Sequence, residues 1–324
     1  SLSPVEMMVS QPASVACLAS VPMTSSASTP KSGLPFALGA YAIWGAMPIY
    51  IKLLDALSAF EVLAHRILWS LPVALACVFG LKQWNDYRAA MTQPRLLGVM
   101  LLSSALISIN WTVYMWAVMH QQVLATSLGY YLNPLVNVLL GRIVLKERLN
   151  RPQALAVGVA ATGVGIMLFQ EPGAIWISLT LALSFGSYGL VRKMAPVSAV
   201  PGLAVEVTLL APLACLALAG GLASDGGFGS STDTNLLLMG SGLITAIPLL
   251  IFATAARRMS YTALGFVQYM SPTIVFFLSI FVWHEPINAA RLACFALIWT
   301  AIAIFSIDAL HRARKPAVDP VALD

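Results

Sequence analysis

The chain has 324 residues, 59% of them hydrophobic and only 10% charged, with a mean hydropathy of +0.84 and a formal net charge of +5. One water-bathed core cannot hide that much apolar surface, so a soluble globular fold is excluded and lipid has to cover the chain. The basic excess is accounted for below by membrane orientation, which argues against nucleic-acid binding.

Residues 1–33 are rich in Ser, Pro, Thr and Ala and read as a disordered tail. The short apolar patch at residues 15–21 has no basic flank and is too short for a signal segment. Met23, eleven residues before the first long apolar run, is expected to be the natural start. Ten apolar runs long enough to cross a bilayer then follow, at 34–54, 61–81, 96–119, 123–145, 152–169, 174–192, 199–221, 235–256, 261–283 and 289–309. With no water to satisfy backbone amides, such runs must be helices, and the alternating strands of an outer-membrane barrel are absent.

The first run places Tyr41, Gly45, Pro48 and Lys52 on one face, with Gly45 suited to close packing and Trp44 and Tyr50 as candidates for a substrate path. The second holds His65 and Arg66 about one and a half turns inside its outer end, where an arginine costs up to ~3 kcal/mol unless it snorkels or pairs. On the third, Ser103, Ile107, Asn110 and Tyr114 form a stripe, and the Asn110 amide needs a partner. Thr126, Tyr130, Asn133 and Asn137 make the most polar stripe of the chain, which favours a water-filled cavity over plain helix contact. Glu147 reads as structural, and Asn150 with Gln153 as the cap of the fifth run. Glu206 lies about two turns inside the seventh run, too deep to snorkel, as a proton carrier or a partner for a basic group, Arg66 being the first candidate.

An offset of 138 residues maps Tyr131-to-Asn150 onto Tyr269-to-Asn288 and aligns Pro134 with Pro272 and Glu147 with Glu285. Offsets of 140 to 141 align Arg66 with Glu206 and Lys52 with Lys193. The chain therefore carries one unit twice, as residues 34–170 and 173–309, followed by a tail at 310–324. Five helices per unit is an odd number, so the second copy enters from the opposite side. The halves are inverted, an arrangement suited to alternating access. With both termini in the cytoplasm, fifteen of the eighteen Lys and Arg fall on that side, the exceptions being Lys52, Arg66 and Arg291.

Cys17, Cys77, Cys215 and Cys294 show no paired spacing, so neither a disulfide framework nor a metal site is indicated. There is no Walker loop, GxSxG or HExxH, which leaves a gradient as the energy source.

The series WGAMPIYIK (44–52), EVLAHRILWS (61–70), NWTVYMWAV (110–118), SLGYYLNPLVNVLLG (127–141) with ERL (147–149), FGSYGLVRK (185–193) and IPLLIFATAARR (247–258) resembles the RarD, or chloramphenicol-sensitivity, family. That family sits in the EamA branch of the drug/metabolite transporter superfamily. The resemblance implies a ten-helix, all-α inner-membrane permease of two inverted five-helix repeats, and assigns no ligand. The expected function is a secondary-active transporter, an exporter of small metabolites or drugs, with no cofactor or metal. Its partners are a small molecule and the bilayer. Trp44, Tyr50, Arg66, Asn110, Tyr114, Tyr130, Tyr131, Asn133, Gln268 and Tyr269 are expected to meet substrate, with Arg66 on an anionic group and Glu206 coupling protons. The alternatives are an intramembrane enzyme acting on a lipid-linked substrate, and a receptor or scaffold.

Overall fold

A computed structural model describes residues 32–314 apart from 121, 171, 223–226, 283 and 285–288. Of the tails expected at 1–33 and 310–324, residues 1–31 and 315–324 lie outside the described residues, as do the echo residues Glu285, Pro286 and Asn288, whereas residues 310–314 continue the last helix. Residues 32–314 belong to one all-helical unit, in which no strand occurs among the described residues.

In chain order the helices are α1 (Leu34–Lys52), α2 (Ala59–Gly80), α3 (Trp84–Thr92), α4 (Pro94–Met119), α5 (Val123–Ile143), α6 (Arg151–Gln170), α7 (Ile175–Met194), α8 (Ala199–Ala217), α9 (Thr232–Arg258), α10 (Tyr261–Gln268), α11 (Met270–Phe281) and α12 (Ala289–Arg314). Among the described residues, nine spans are long and apolar enough to cross a membrane, with α10 and α11 counted as one. Helix α5, Val123–Ile143, has 21 residues, the length of a crossing helix.

Three departures from the expected elements have local causes. Helix α3 was not expected, since its nine residues are too polar to register as an apolar run, yet Tyr87 donates or accepts a hydrogen bond with Thr208 of α8 at 3.1 Å. The ninth expected run is broken at Tyr269, three residues before Pro272, whose ring and missing N–H disfavour an unbroken ladder. The seventh ends as a helix at Ala217 and finishes in a π-helical turn, Leu218–Leu222, where Gly221 takes φ +98°.

Helix packing follows a rule. Helix α2 packs on α8, α6 on α12 and α5 on α10; α1 packs on α9 and α11 as α7 does on α4 and α5; α2 meets α9 as α8 meets α4. Exchanging α1 with α7, α2 with α8, α4 with α9, α5 with α10–α11 and α6 with α12 leaves this set unchanged. Close approaches are made by small residues, as expected where burial in lipid gives no hydrophobic gain. A Cβ on Gly45 would sit 2.8 Å from the Ile274 side chain of α11, and one on Gly265 would sit 2.8 Å from the Pro134 carbonyl of α5.

Polar groups tie helices together at both ends. The Glu147 carboxylate caps α10, accepting from Tyr261 N at 2.6 Å, Thr262 N at 2.9 Å and the Thr262 hydroxyl at 2.7 Å. Asn150 caps α6 through Gln153 N at 2.8 Å and donates to both oxygens of Asp308 on α12 at 2.8 and 3.0 Å. Lys193 donates to the carbonyls of Ala256 and Met259, both at 2.7 Å. At the opposite end, the Tyr50 hydroxyl donates to the Leu237 carbonyl and His65 stacks on Phe228 at 5.3 Å.

Glu147 thus holds the start of the second copy of its own helix. Replacing it with alanine is expected to cost about 1–3 kcal/mol, read as a lower melting temperature of the purified protein; Glu147→Gln, which keeps one acceptor, should recover part of the loss.

Candidate functional site

Helix α2 is set in register by Ser58, whose hydroxyl accepts from Glu61 N at 3.1 Å. Two turns on, Arg66 is buried to 8% exposure. Its Nε donates to the Thr245 hydroxyl of α9 at 2.9 Å, its guanidinium lies 5.9 Å over the Trp111 ring of α4, and a terminal nitrogen is 3.8 Å from Met47 Sδ of α1. One turn further, Ser70 donates to the Gly242 carbonyl at 3.1 Å, and Gly242 has to be glycine because a Cβ would overlap the Trp69 backbone. Among the described residues no carboxylate lies within ion-pair distance of Arg66.

The phenols of Tyr50, Tyr114 and Tyr130 lie within electrostatic range of that cation. Tyr114 and Tyr130 meet edge-on at 6.1 Å. Tyr130 sits deep among the helices and yet is 46% exposed. The ring is accessible on the side it shares with Tyr114 and Arg66.

Glu206 on α8 is buried to 2% exposure and its needs are met. It accepts from the hydroxyls of Ser103 on α4 and of Tyr188 on α7, the latter at 3.3 Å, and lies 3.5 Å from Arg192 Nε. The candidate pairing with Arg66 is therefore corrected: the partner is Arg192, which the sequence places as a cytoplasmic flanking charge. Arg192 is 1% exposed and also donates to the Ala199 carbonyl at 2.9 Å. Any Cβ on Gly202 would overlap its guanidinium, so the glycine makes room for it. The signal for this pair was present. A short connection, residues 195–198, joins α7 to α8 and brings Arg192 back to the depth of Glu206.

The two charges occupy equivalent places. Arg66 sits where α2 meets α1 and α9, and Glu206 where α8 meets α7 and α4. Met47 beside Arg66 and Tyr188 beside Glu206 are related by the same 141-residue offset that relates Lys52 to Lys193.

The remaining candidates divide. Trp44 joins an aromatic cluster with Tyr41, Phe185 and Phe252 at 5.5–5.7 Å, between α1, α7 and α9. Asn110 donates to the Leu181 carbonyl at 2.9 Å and the Ser184 hydroxyl at 3.1 Å, pinning α4 to α7. Gln268 accepts from Asn137 at 2.8 Å, while the buried Asn133 keeps an oxygen with no hydrogen-bond partner. Tyr131 and Tyr269 are separated from Arg66: both pack in the apolar core under α6 and α12, Tyr131 against Phe295 at 5.4 Å. Met47, Trp111, Thr245, Arg192 and Gly202 were not singled out as site residues.

The EamA-like transporter family matches residues 31–169. The chain is 42% identical over 288 residues to an uncharacterized transporter of Pseudomonas aeruginosa, spanning 88% of this chain and 96% of the relative. It is 41% identical to protein RarD of Salmonella typhimurium, over 88% of this chain and 98% of that one, and 32% identical to the chloramphenicol-sensitive protein RarD of P. aeruginosa over 88% and 97%. A crystal structure at 18% identity superposes with a TM-score of 0.67 over 87% of this chain and 99% of its own, a likeness of fold alone. The apolar helices and these relatives make this a multi-pass bacterial membrane protein. The chain belongs to the RarD family, in the EamA branch of the drug/metabolite transporter superfamily.

Proposed function

We propose that the protein is a secondary-active permease that exports small metabolites or drugs by alternating access. Its working parts are two inverted five-helix repeats, residues 34–170 and 173–309, with α5 as a tenth crossing, in the inner membrane with both termini and the tail 310–324 cytoplasmic. The observation that carries this reading is the exchange symmetry of the helix packing, which gives one chain two related ways to close around a shared hollow. The end-to-end ties are consistent with it. Glu147, Lys193 and Asp308 meet their partners at the end where Arg142, Lys146, Arg148, Arg257 and Arg258 collect, and Tyr50 and His65 meet theirs at the other.

In this arrangement the Glu206 cluster is a latch on the cytoplasmic half, joining α4, α7 and α8. A proton on Glu206 would cancel the charge that holds Arg192, and this is the route by which a proton gradient would reach the gate. Tyr114, Tyr130 and Trp44 offer apolar surface to a bound molecule, and Asn133 offers an acceptor.

The reading is tested by comparing the metabolites in medium and cells with and without the protein, then reconstituting it and measuring counterflow of the compounds that differ. Counterflow that needs the protein supports a permease, and chemical conversion without flux refutes it. Glu206→Gln leaves Arg192 buried without a counter-ion, at a cost of about 3–5 kcal/mol, and should remove the gradient dependence of counterflow. Gly202→Ala keeps both charges but displaces the guanidinium, so it should lower the melting temperature and counterflow in the same direction; an unaffected Gly202→Ala protein would show that the cluster is no latch.

A further inference from the structure

We propose, resting on the permease reading, that the transported molecule is an organic anion whose carboxylate or similar oxyanion is the missing counter-charge of Arg66. Its body is flat and apolar.

The argument starts from charge compensation. A guanidinium taken out of water without a counter-ion is strongly disfavoured, and within lipid such residues mark ligand or ion pathways. Glu206, at the equivalent junction of the other half, has its counter-ion, two hydroxyl donors and a glycine that admits the partner. Arg66 has a hydroxyl on Nε, a thioether against a terminal nitrogen and an indole beneath it. Sulfur is a weak acceptor and the indole carries no formal charge, so neither neutralises the cation. Among the described residues one junction is thus complete, and the other is left to be completed from outside.

Geometry narrows the ligand. With Nε held by Thr245, the guanidinium plane is fixed and its terminal nitrogens keep donors for a planar, two-oxygen acceptor, which the arginine fork matches best. Trp111 lies against the cation, and the Tyr114 and Tyr130 rings, the latter 46% exposed, line the space beside it. Rings at these positions favour a flat apolar body attached to the anion. A lipid phosphate would offer the same oxyanion chemistry, so the source has to be separated by experiment.

The test is thermal melting of the purified protein in neutral detergent, with matched pairs as probes: indoleacetate against indoleacetamide and phenylacetate against phenylacetamide, with inorganic phosphate and with nanodiscs of phosphatidylcholine with or without phosphatidylglycerol. The carboxylates should raise the melting temperature saturably and the amides should not. Arg66→Gln should abolish the gain, Arg66→Lys should weaken apparent binding by about tenfold or more, and ligand-free Arg66→Gln should melt no lower than the unaltered protein although Glu206→Gln melts lower. Amides that stabilise equally, no stabilisation by any carboxylate, a gain that survives Arg66→Gln, or a gain from phosphatidylglycerol alone would each overturn the proposal. Counterflow keeps the two readings apart. Carboxylate binding lost in Arg66→Gln without any flux would refute transport, whereas flux of neutral compounds untouched by Arg66→Gln would refute only the anion.

Discussion

Inside hydrocarbon a polar group can look only to the protein for a partner, and the placement of a few such groups organises this chain. The Glu206–Arg192 pair shows the constraint at full strength. It draws α7 and α8 together, fixes Gly202 as the only residue type that leaves room for the guanidinium, and recruits Ser103 from α4 and Tyr188 from α7. The Glu147 carboxylate applies the same rule to the backbone, satisfying the first amides of α10, which would otherwise face a non-aqueous interior. The contacts of Ser103 with Glu206 and of Glu147 with α10 cross between helices far apart in sequence, so the polar groups specify the pairing while apolar and small residues fill the contacts.

The exchange symmetry of the helix packing gives these contacts meaning under the proposed function. Equivalent junctions carry a carboxylate in one half and a guanidinium in the other. A molecule that moves between two faces needs a pocket whose two closures have similar energies, and two copies of one unit meet that need directly. Among the described residues the junctions differ in that Glu206 has a counter-ion and Arg66 has none, and in the proposed cycle this difference carries the asymmetry.

Much of this was legible in the sequence, for physical reasons. Helix positions followed from the length of the apolar runs and the role of Asn150 from capping chemistry, while Glu147 read only as structural and its hold on α10 came from the structure. The polar stripe of α5 was legible too. What escaped was pairwise and three-dimensional. Arg192 looks like an ordinary flanking charge until α8 folds back beside it, and Gly202 is unremarked until the guanidinium needs its space. Helix α3 was missed because its polar residues carry no membrane signal. Tyr131 and Tyr269, expected to meet substrate, are buried in the core under α6 and α12.

The central claim is that the hollow beside Tyr130 is reached from each face of the membrane in turn. It is tested most directly by Tyr130→Cys in a protein whose Cys17, Cys77, Cys215 and Cys294 are replaced by serine, challenged with a membrane-impermeant maleimide in right-side-out and inside-out vesicles. The account predicts modification from both faces, each blocking the other; modification confined to one face, whatever ligand or gradient is applied, would contradict it.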